Sequence, residues 1–600
     1  MTQPTLTTLG TKLGHWPRLL LTFATVLSLN WVHRITVTSI FYFNNNGFNW
    51  HYQARDGLNP LTKFIEIYGQ SLLLGLKTDI LFAIPVTGIL FLLGRVGLYL
   101  GLALLALLYA ANAEHIRFNE SNLDPSLISM ALNPTFIAGQ STSTLFFTLI
   151  GFIGFIVMLL WFARRKSTLI GIGIAVVVGA AAVAIAPAAT RYDQPIWMQT
   201  HPLMPMIGRE DLPVDDKEFS TAIFDQIPEP FSPVPAKHNV LMVFLEGLSE
   251  NSLAISDMSY VQSLAAQNLH FRQYIGHQLL TANGIYASHT ANLPYFTNVP
   301  MRWYGLDASS PELENALPRI LRENGYQTTF IQSAPLSFME KDRVLPLLGY
   351  DDVIGAESIL IPGLRNGWGV DDLSLMQATL DRIDQFDADR PWITTVLTTG
   401  THSPYNVPSD FLPDGTTDRY RASRYADDAV NALINGLEDR GLLDNTVVII
   451  TSDESREFSP GTQLEVDVHR SWLPFIVLHP NGLQAKIDNP VAMVDARDLV
   501  LAATGDLNTE TIDQITSQRD TFVMGNVRLK QLFYYTPKDE ELYACITNHF
   551  VCHVYGNVTD LRDMKDVQPL QVAEFPGLER IFRRREGAEV ECEDGLALCR

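Results

Sequence analysis

The sequence is short of charge, and of positive charge in particular. Only 18% of its 600 residues are charged, whereas 47% are hydrophobic, and this composition excludes a disordered or fibrous chain. Lysine and arginine total 43 against 65 acidic residues, for a formal net charge of -22. Because phosphate backbones are bound by clustered Lys and Arg, this balance argues against nucleic acid as the main partner.

Cysteine is also scarce, and it is confined to the end of the chain. The four cysteines are Cys545, Cys552, Cys592 and Cys599. An even number within one short region favours two disulfides, formed in an oxidising compartment. A zinc site with four cysteine ligands is the alternative, although neither pair has the Cys-x-x-Cys spacing. The sequence leaves the pairing open.

Long apolar runs are abundant, and they lie within residues 1–189. Five of them approach the roughly 20 residues needed to cross a bilayer. They are Leu19–Tyr42, Gly69–Gly94, Gly97–Ala113, Thr144–Ala163 and Thr168–Ala189. The first run has no small-residue cleavage site before its aromatic end, so we interpret it as a span and not as a cleaved signal peptide. The sequence therefore predicts a five-helix transmembrane domain.

The basic residues around these runs indicate their orientation. Lys12 and Arg18 precede the first run, Arg95 separates the second from the third, and residues 164–166 (Arg-Arg-Lys) separate the fourth from the fifth. All of them lie on one side of the membrane if the N-terminus is cytoplasmic. Everything after Ala189 then faces outward, so we predict a multi-pass protein with an extracytoplasmic domain.

Two ionisable residues, Lys77 and Asp79, lie in or at the outer edge of the second run. Ionisable side chains at membrane depth are costly, and they are usually paired or functional. Two interpretations stand side by side. The residues form an interfacial pair that marks the start of the span, or they contact a lipid head group.

The outward part has the pattern of an α/β domain. Residues 190–237 are rich in proline and predict a linker. Apolar runs typical of buried strands then alternate with helical patterns, which predicts a mainly parallel sheet flanked by helices over residues 238–530. A disulfide-containing extension over 531–600 would follow. The strand-like runs are Val240–Leu245, Thr328–Ile331, Trp392–Leu397, Thr446–Ile450 and Pro474–Leu478.

Polar side chains follow three of these strands. Glu246 comes directly after the first strand, His402 follows the third, and Asp453 and Glu454 follow the fourth. One carboxylate after a strand is often only the N-cap of the next helix. Three such positions predict a common crevice, because ligands of these sheets bind beyond the carboxyl ends of the strands.

One further segment is similar to a motif of a known family. Its sequence is Thr281-Ala-Asn-Gly-Ile-Tyr-Ala-Ser-His-Thr-Ala-Asn-Leu-Pro294. It resembles the alkaline phosphatase/sulfatase superfamily, and within it the lipoteichoic acid synthase-like and phosphoglycerol transferase branch. The resemblance covers about residues 238–480. It includes the segments Leu317–Tyr326, Trp368–Asp372 and Tyr425–Asp428 as well as the strand ends.

The resemblance implies a role for each residue of the crevice. Thr281 would be the nucleophile, coordinated to a divalent metal that lowers the pKa of its hydroxyl. Glu246 would be the first metal ligand, and Asp453 and Glu454 would be the last pair.

Three further residues are assigned to the substrate. His402 and His469 would face the phosphate, where the leaving and attacking oxygens need proton transfer or anion stabilisation. Lys341 falls about where the family often places a phosphate-binding arginine.

One position departs from the family pattern. The family usually has Ser-Asp-His at the last ligand pair, and this chain has Ser452-Asp453-Glu454. The site then offers only oxygen ligands, which favour Mn²⁺ or Mg²⁺, with Zn²⁺ as the alternative. The opposing interpretation is that Glu454 marks an inactive copy of the fold.

The resemblance implies a bacterial enzyme of the cytoplasmic (inner) membrane with a periplasmic catalytic domain. It would move a phosphoglycerol group from phosphatidylglycerol to an envelope glycan or a glycerol-phosphate polymer through a phospho-threonine. A phosphoethanolamine transferase with the same chemistry is the first alternative. The others are a sulfuric or phosphoric ester hydrolase and a catalytically decayed membrane protein. A formylglycine sulfatase is disfavoured, since every cysteine lies beyond residue 544.

Overall fold

The structure is a computed structural model that describes part of the chain. The described residues are 16–43, 60–119, 201, 203, 238–277, 279–294, 301–361, 365–366, 368–402, 405, 407–408, 410–412, 417–455, 464, 468–517, 519, 521–526, 531–546, 551–564, 567 and 569–574. Two compact units divide the chain. The first comprises residues 1–125 and 141–210, and the second comprises residues 126–140 and 211–600.

Among the described residues of the first unit there are three long helices. They are α1 (Trp16–Phe43), α2 (Pro60–Leu92) and α3 (Gly94–Asn119). They coincide with the first three predicted spans, whereas the fourth and fifth spans lie outside the described residues. Within the described part of the chain, one helical stretch, Gly75–Leu92, is both long and apolar enough to cross a bilayer, and the apolar Gly97–Ala113 is shorter. The five-span arrangement therefore stays a prediction.

The surface of α2 and α3 is apolar and their interior is partly polar. Leu92 is 84% exposed and Leu100 is 68% exposed, and other large aliphatic side chains on these helices are also exposed. Asn30, Arg34 and Asp79 are buried between the helices. A soluble protein rarely exposes so much contiguous apolar surface, so the distribution favours a lipid-facing exterior.

Asp79 pairs with another helix and not with Lys77. Arg34 on α1 donates from Nε to Asp79 Oδ2 at 2.6 Å and from Nη2 to Asp79 Oδ1 at 2.8 Å. Asn30 Nδ2 donates to the Asp79 carbonyl at 3.3 Å. Lys77 is exposed. The interfacial Lys77–Asp79 pair considered from the sequence is therefore replaced by a buried ion pair between α1 and α2.

Replacing Asp79 with Ala should destabilise the full-length chain strongly. The substitution leaves the Arg34 guanidinium buried without its carboxylate partner, which typically costs roughly 3 to 5 kcal/mol. Thermal unfolding in detergent should show a clearly lower Tm for Asp79→Ala. The Tm of the double variant Arg34→Leu/Asp79→Leu should fall less than that of Asp79→Ala. Lys77→Ala, an exposed position on the same helix, is the control. Equal melting of Asp79→Ala and wild type would contradict the pairing.

Eight strands form the central sheet of the second unit. In spatial order they are β12 (Lys486–Ile487), β2 (Leu269–Phe271), β11 (Phe475–Leu478), β9 (Thr446–Thr451), β1 (Asn239–Phe244), β8 (Trp392–Leu397), β4 (Gln327–Gln332) and β5 (Asp352–Ile354). The five strands from β9 to β5 run parallel. β11 is antiparallel to both β9 and β2. The predicted α/β domain is thus present, with a mixed sheet whose centre is parallel.

Smaller strands and helices surround this sheet. The helices are α4 (Glu250–Ile255), α5 (Ser259–Gln267), α6 (Thr281–Thr290), α7 (Met301–Gly305), α8 (Leu317–Glu323), α9 (Lys341–Leu348), α10 (Asp372–Ile383), α11 (Asp418–Asp439), α12 (Ala496–Ala503) and α13 (Thr509–Thr516). The strands are β3 (Tyr274–Ile275), β10 (Trp472–Leu473) and β13 (Val491–Ala492) in one sheet, and β6 (Arg365–Asn366) and β7 (Gly369–Val370) in a two-stranded pair.

The core forms because the central strands are apolar on both faces. Every residue of β1, β8 and β9 is buried. Leu241 and Val243 of β1 point to one face, where they join a cluster with residues of α5, α10 and α11. Continuous apolar strands of this kind need helices on both faces, and their rigid packing fixes where each strand ends.

The C-terminal part is a second sheet. Its five antiparallel strands are β14 (Phe522–Asn526), β15 (Gln531–Thr536), β16 (Glu541–Ile546), β17 (Val551–Tyr555) and β18 (Pro569–Glu574). Cys545 and Cys552 face each other on β16 and β17 and form a disulfide. Cys592 and Cys599 lie outside the described residues. The predicted boundary at residue 530 falls inside this sheet, between β14 and β15.

Candidate active site

Three acidic residues meet at the carboxyl edge of the central sheet. Glu246 follows β1, and Asp453 and Glu454 follow β9. These two strands are parallel neighbours whose last residues, Phe244 and Thr451, are in register. The side chains are almost fully buried, with exposed fractions of 4% for Glu246, 0% for Asp453 and 5% for Glu454. The crevice predicted from the sequence therefore exists as a buried acidic cluster.

Ser452 ties the two strand ends together. The backbone N–H of Leu248 donates to Ser452 Oγ at 3.1 Å, and Ser452 Oγ lies 2.6 Å from the Leu245 carbonyl, to which it donates. The N–H of Gly247 donates to Asp453 Oδ1 at 3.2 Å. These bonds hold the turn after Glu246 against the turn that carries Asp453, so the acidic residues cannot separate without breaking buried hydrogen bonds.

Thr281 begins α6 and points at this cluster. Its Oγ1 lies 3.4 Å from Glu246 Oε1 and 3.3 Å from Glu246 Oε2. The first turn of a helix carries a partial positive charge, which favours an ionised oxygen there. A Cβ on Gly284, one turn further along, would lie 1.9 Å from the Asp453 carbonyl oxygen. The absence of a side chain at Gly284 therefore lets α6 pack directly on the acidic turn.

The cluster strongly perturbs its own ionisation. Burial and the negative charges of Asp453 and Glu454 hold the pKa of Glu246 well above its usual range, and the positive charge of Lys341 opposes that rise. Burial lowers the pKa of Lys341 to about 8, against the charges of Glu246 and Asp453. Lys341 is 2% exposed. The structure thus brings this lysine, expected from the sequence to bind phosphate, to the acidic cluster.

An unusual backbone presents Lys341. Met339 and Glu340, the two residues before it, have φ values of 60° and 53°, in the left-handed region that residues with side chains rarely occupy. Such residues cost about 1 to 3 kcal/mol each and tend to persist at functional sites. Trp303 Nε1 donates to the Met339 carbonyl at 2.8 Å and helps to hold the turn. The Lys341 ammonium lies 5.6 Å from the centre of the Phe338 ring.

His402 lies in the loop after β8, and hydrogen bonds from the same loop hold the backbone of Glu246. Thr398 Oγ1 accepts from the Glu246 N–H at 3.1 Å, and Thr401 Oγ1 donates to the Glu246 carbonyl. The His402 ring packs against Trp368, with 4.5 Å between ring centroids, and Trp368 packs edge-on against Phe338 at 5.2 Å. His402, Trp368 and Phe338 therefore form an aromatic row that ends at Lys341.

His469 is engaged in other contacts. Its Nε2 lies 2.8 Å from the Leu561 carbonyl, so this nitrogen carries the proton and donates. Its Nδ1 lies 3.2 Å from Asn251 Nδ2. In this arrangement His469 connects α4 to the loop between β17 and β18. The phosphate contact expected for His469 stays a prediction.

The donor chemistry of the cluster fits a divalent cation, although its geometry is not preformed. Asp453 Oδ2 is buried without a hydrogen-bond partner among the described residues. Three carboxylates and one hydroxyl are hard oxygen ligands of the kind Mn²⁺ and Mg²⁺ prefer. In the described part of the chain, no three His, Cys, Asp or Glu side chains already converge as metal ligands. Binding therefore requires the carboxylates to rotate toward a common point.

Comparison with known proteins agrees with this architecture. Residues 238–505 match the sulfatase family. The chain is 28% identical over 148 residues to phosphoglycerol transferase I of Citrobacter koseri, a match that covers 22% of this chain and 19% of that protein. These matches confirm the superfamily resemblance seen in the sequence: residues 238–505 carry a sulfatase-family domain, and part of the chain is similar to a phosphoglycerol transferase. The alignment spans about a fifth of the curated relatives' length.

Two solved structures are similar to part of this chain. An alkaline phosphatase superfamily protein from Vibrio parahaemolyticus is 18% identical, covers 62% of this chain and 93% of its own, and has a TM-score of 0.47. The lipoteichoic acid synthase LtaP from Listeria monocytogenes is 16% identical, covers 61% of this chain and 95% of its own, and has a TM-score of 0.44.

Ser452 and Trp368 were named from the sequence without a role in the site, and Thr398 and Thr401 were not singled out. Ser452, Thr398 and Thr401 hold the backbone of the acidic turn, and Trp368 supports the His402 ring. The hydroxyl residues stand next to the strand ends, where a side chain reaches the neighbouring strand. That position is a usable signal. The contact of Trp368 with His402 joins distant parts of the chain and has no local signature.

Replacing Gly284 with Ala should disrupt the cluster. The new Cβ would meet a backbone oxygen that cannot rotate away, so α6 must shift and carry Thr281 with it. Overpacking of this kind costs about 1 to 3 kcal/mol, so we expect Mn²⁺ affinity to fall roughly 10- to 100-fold in calorimetric titration of the full chain. Gly305→Ala is the control, since no atom lies within 4 Å of its Cβ position. Unchanged Mn²⁺ binding by Gly284→Ala would contradict this packing.

The stabilisation conferred by Mn²⁺ should grow with pH. Because the pKa of Glu246 is raised in the metal-free fold, this group stabilises the fold at low pH and loses that contribution as pH rises toward its folded-state value. A cation that binds the ionised carboxylates offsets the loss. The difference in Tm with and without Mn²⁺ should therefore increase from about pH 5 to pH 8, and it should shrink in Glu246→Gln. Glu340→Gln, at an exposed glutamate, is the control. A pH-independent difference would contradict the account.

Proposed function

We propose that this protein transfers a phosphoglycerol group from phosphatidylglycerol to an envelope glycan or a growing glycerol-phosphate polymer. The observation that carries the proposal is the position of the Thr281 hydroxyl. It stands at the start of α6, 3.3 and 3.4 Å from the two oxygens of a buried glutamate, in an acidic crevice of a sulfatase-family domain. The partial similarity to phosphoglycerol transferase I supports the choice of head group.

The first half-reaction forms a phospho-threonine. Thr281 Oγ attacks the phosphorus of the lipid, the bond from phosphorus to the diacylglycerol oxygen breaks, and diacylglycerol leaves with a proton. A divalent ion held by Glu246, Thr281, Asp453 and Glu454 would lower the pKa of the Thr281 hydroxyl and stabilise charge on the phosphoryl oxygens. The hydroxyl proton passes to a base of the site, and the cluster of carboxylates provides candidates for it.

Lys341 and His402 act on the phosphate itself. The Lys341 ammonium, near the cluster, would stabilise the negative charge that grows on the phosphoryl oxygens. His402 would protonate the departing diacylglycerol oxygen, so that a neutral alcohol leaves. The aromatic row of Trp368 and Phe338 beside these two residues offers an apolar wall against which the glycerol carbons can pack.

The second half-reaction restores the enzyme. An acceptor hydroxyl attacks the phosphorus of phospho-Thr281 and gives its proton to His402, which lost one in the first half-reaction. The bond from phosphorus to Thr281 Oγ breaks, and the base that took the Thr281 proton in the first half-reaction returns it, so the hydroxyl re-forms. The predicted orientation of the membrane domain would put the catalytic domain on the outer side of the cytoplasmic membrane, where the outer leaflet can supply a lipid donor by diffusion in two dimensions.

Mass spectrometry of the full-length protein tests this proposal. The protein is incubated with Mn²⁺ and with vesicles that contain phosphatidylglycerol and phosphatidylethanolamine, then digested. We expect a phosphoglycerol adduct on the Thr281 peptide and none in Thr281→Ala. Thr290→Ala, at the far end of the same helix, serves as the matched threonine control.

The other outcomes are equally informative. A phosphoethanolamine adduct would keep the threonine mechanism and overturn the proposed donor. Absence of any adduct, together with uncleaved lipid, would overturn the proposal and favour a catalytically decayed protein. Hydrolysis of the lipid without transfer to an acceptor would instead favour an ester hydrolase.

A further inference from the structure

The segment Trp368–Asp372 was recognised in the sequence without a role, and the structure gives it one. The backbone N–H of Val370 donates to the Ser333 carbonyl at 3.0 Å, so the segment is fixed to the end of β4. Asp371 caps α10 by accepting from the Ser374 N–H at 3.1 Å, and Tyr425 donates to the same carboxylate oxygen at 2.7 Å. The segment is thus anchored independently of the loop that carries His402.

Asp372 contacts that loop directly. Its side chain is buried, and its Oδ1 accepts from the backbone N–H groups of Gly400 at 3.0 Å and Thr399 at 3.4 Å. A Cβ on Gly400 would lie 2.4 Å from Asp372 Oδ2. Only glycine lets the loop approach the carboxyl group so closely. The loop therefore rests on Asp372, two residues before His402.

Three sets of contacts fix the loop around His402. Asp372 holds its backbone, Trp368 packs on the His402 ring, and Thr398 and Thr401 join it to the backbone of Glu246. Two of the three come from one five-residue segment. A residue anchored in this way can present its imidazole in one orientation only, which is what proton transfer at a phosphoryl group needs.

Stability alone does not account for a carboxyl group at position 372. Burial raises its pKa to about 7, although the two backbone N–H groups oppose the rise. Asp372 Oδ2 has no hydrogen-bond partner in the part of the chain that the structure describes. A buried carboxyl group with one oxygen unsatisfied is costly, and an apolar side chain would avoid that cost. What a carboxyl group adds at this position is a hydrogen-bond acceptor for the backbone N–H groups of the loop.

We propose that Asp372 is a positioning residue for His402, fixing the backbone of Thr399 and Gly400 while Trp368 fixes the ring. This inference rests on the proposed function, in which His402 exchanges a proton with the diacylglycerol and acceptor oxygens. It makes Trp368–Asp372 the support that sets the catalytic geometry of a residue belonging to a different strand end.

A double-mutant cycle on the full-length protein tests the inference, with diacylglycerol release from phosphatidylglycerol as the assay. Asp372→Ala should lower kcat roughly 10- to 100-fold with KM nearly unchanged, because the substrate still binds while the imidazole is misplaced. Asp372→Ala/His402→Ala should be no slower than His402→Ala alone. Asp372→Asn keeps an acceptor for the loop and should recover most of the activity.

Asp427→Ala is the matched control. It removes a buried aspartate that accepts from the backbone N–H groups of Tyr260 and Val261 and lies outside the Trp368–Asp372 segment, so it should lower Tm without the kcat effect. If Asp372→Ala does not fold, Asp372→Ser, whose shorter acceptor does not reach the loop, takes its place. Additive losses in the cycle, or equal kcat effects of Asp427→Ala and Asp372→Ala, would overturn the inference.

Hydrogen exchange separates this inference from the proposed function. Peptides covering residues 398–402 should exchange faster in Asp372→Ala than in wild type or Asp427→Ala, whether or not the protein turns over the lipid. If the wild-type protein does not turn over the lipid, the proposed function is wrong. If hydrogen exchange of residues 398–402 is unchanged in Asp372→Ala, the positioning role is wrong.

Discussion

The fold of the second unit forces three buried acidic side chains together, although their negative charges repel one another. The parallel pairing of β1 and β9 brings Glu246 against Asp453 and Glu454 in a buried place, where burial and the charges of these two residues raise the pKa of Glu246. Hydrogen bonds through Ser452 prevent the turns from separating. Burying these carboxylates together lowers the stability of the fold unless positive charge lies among them, and Lys341 supplies only one positive charge. A divalent cation would supply the rest.

The surrounding residues follow from that constraint. The Thr281 helix packs on the acidic turn because Gly284 has no side chain, and the His402 loop is tied to the backbone of Glu246 through two threonine hydroxyls. Thr281, the three acidic residues and His402 therefore belong to different chain segments but share one buried junction. Movement at any of them is transmitted to the others through bonds that cannot be lost without leaving buried polar groups unsatisfied.

Sequence analysis reached the sheet and the acidic crevice because both leave local signals. Continuous apolar runs marked the central strands, and charged residues directly after Leu245 and Ser452 marked the edge where they meet. Other features lacked such signals. The strands after residue 521 mix apolar and polar residues on two faces, so only their cysteines stood out. Asp79 pairs with Arg34, which is distant in sequence, so no local pattern predicts the pair. The hydrogen-bond partners of the two His469 ring nitrogens are likewise distant in sequence and come close only in the folded chain.

Anomalous X-ray diffraction from crystals of the full-length protein grown with Mn²⁺ would show directly whether the acidic cluster binds a divalent ion. We predict one manganese ion in contact with Glu246, Thr281, Asp453 and Glu454, and loss of that ion in Glu246→Gln crystals. An ion bound elsewhere, or a crevice that stays without an ion at saturating Mn²⁺, would contradict this prediction. Zinc bound in preference to manganese at the same four residues would keep the site and overturn the choice of a hard cation.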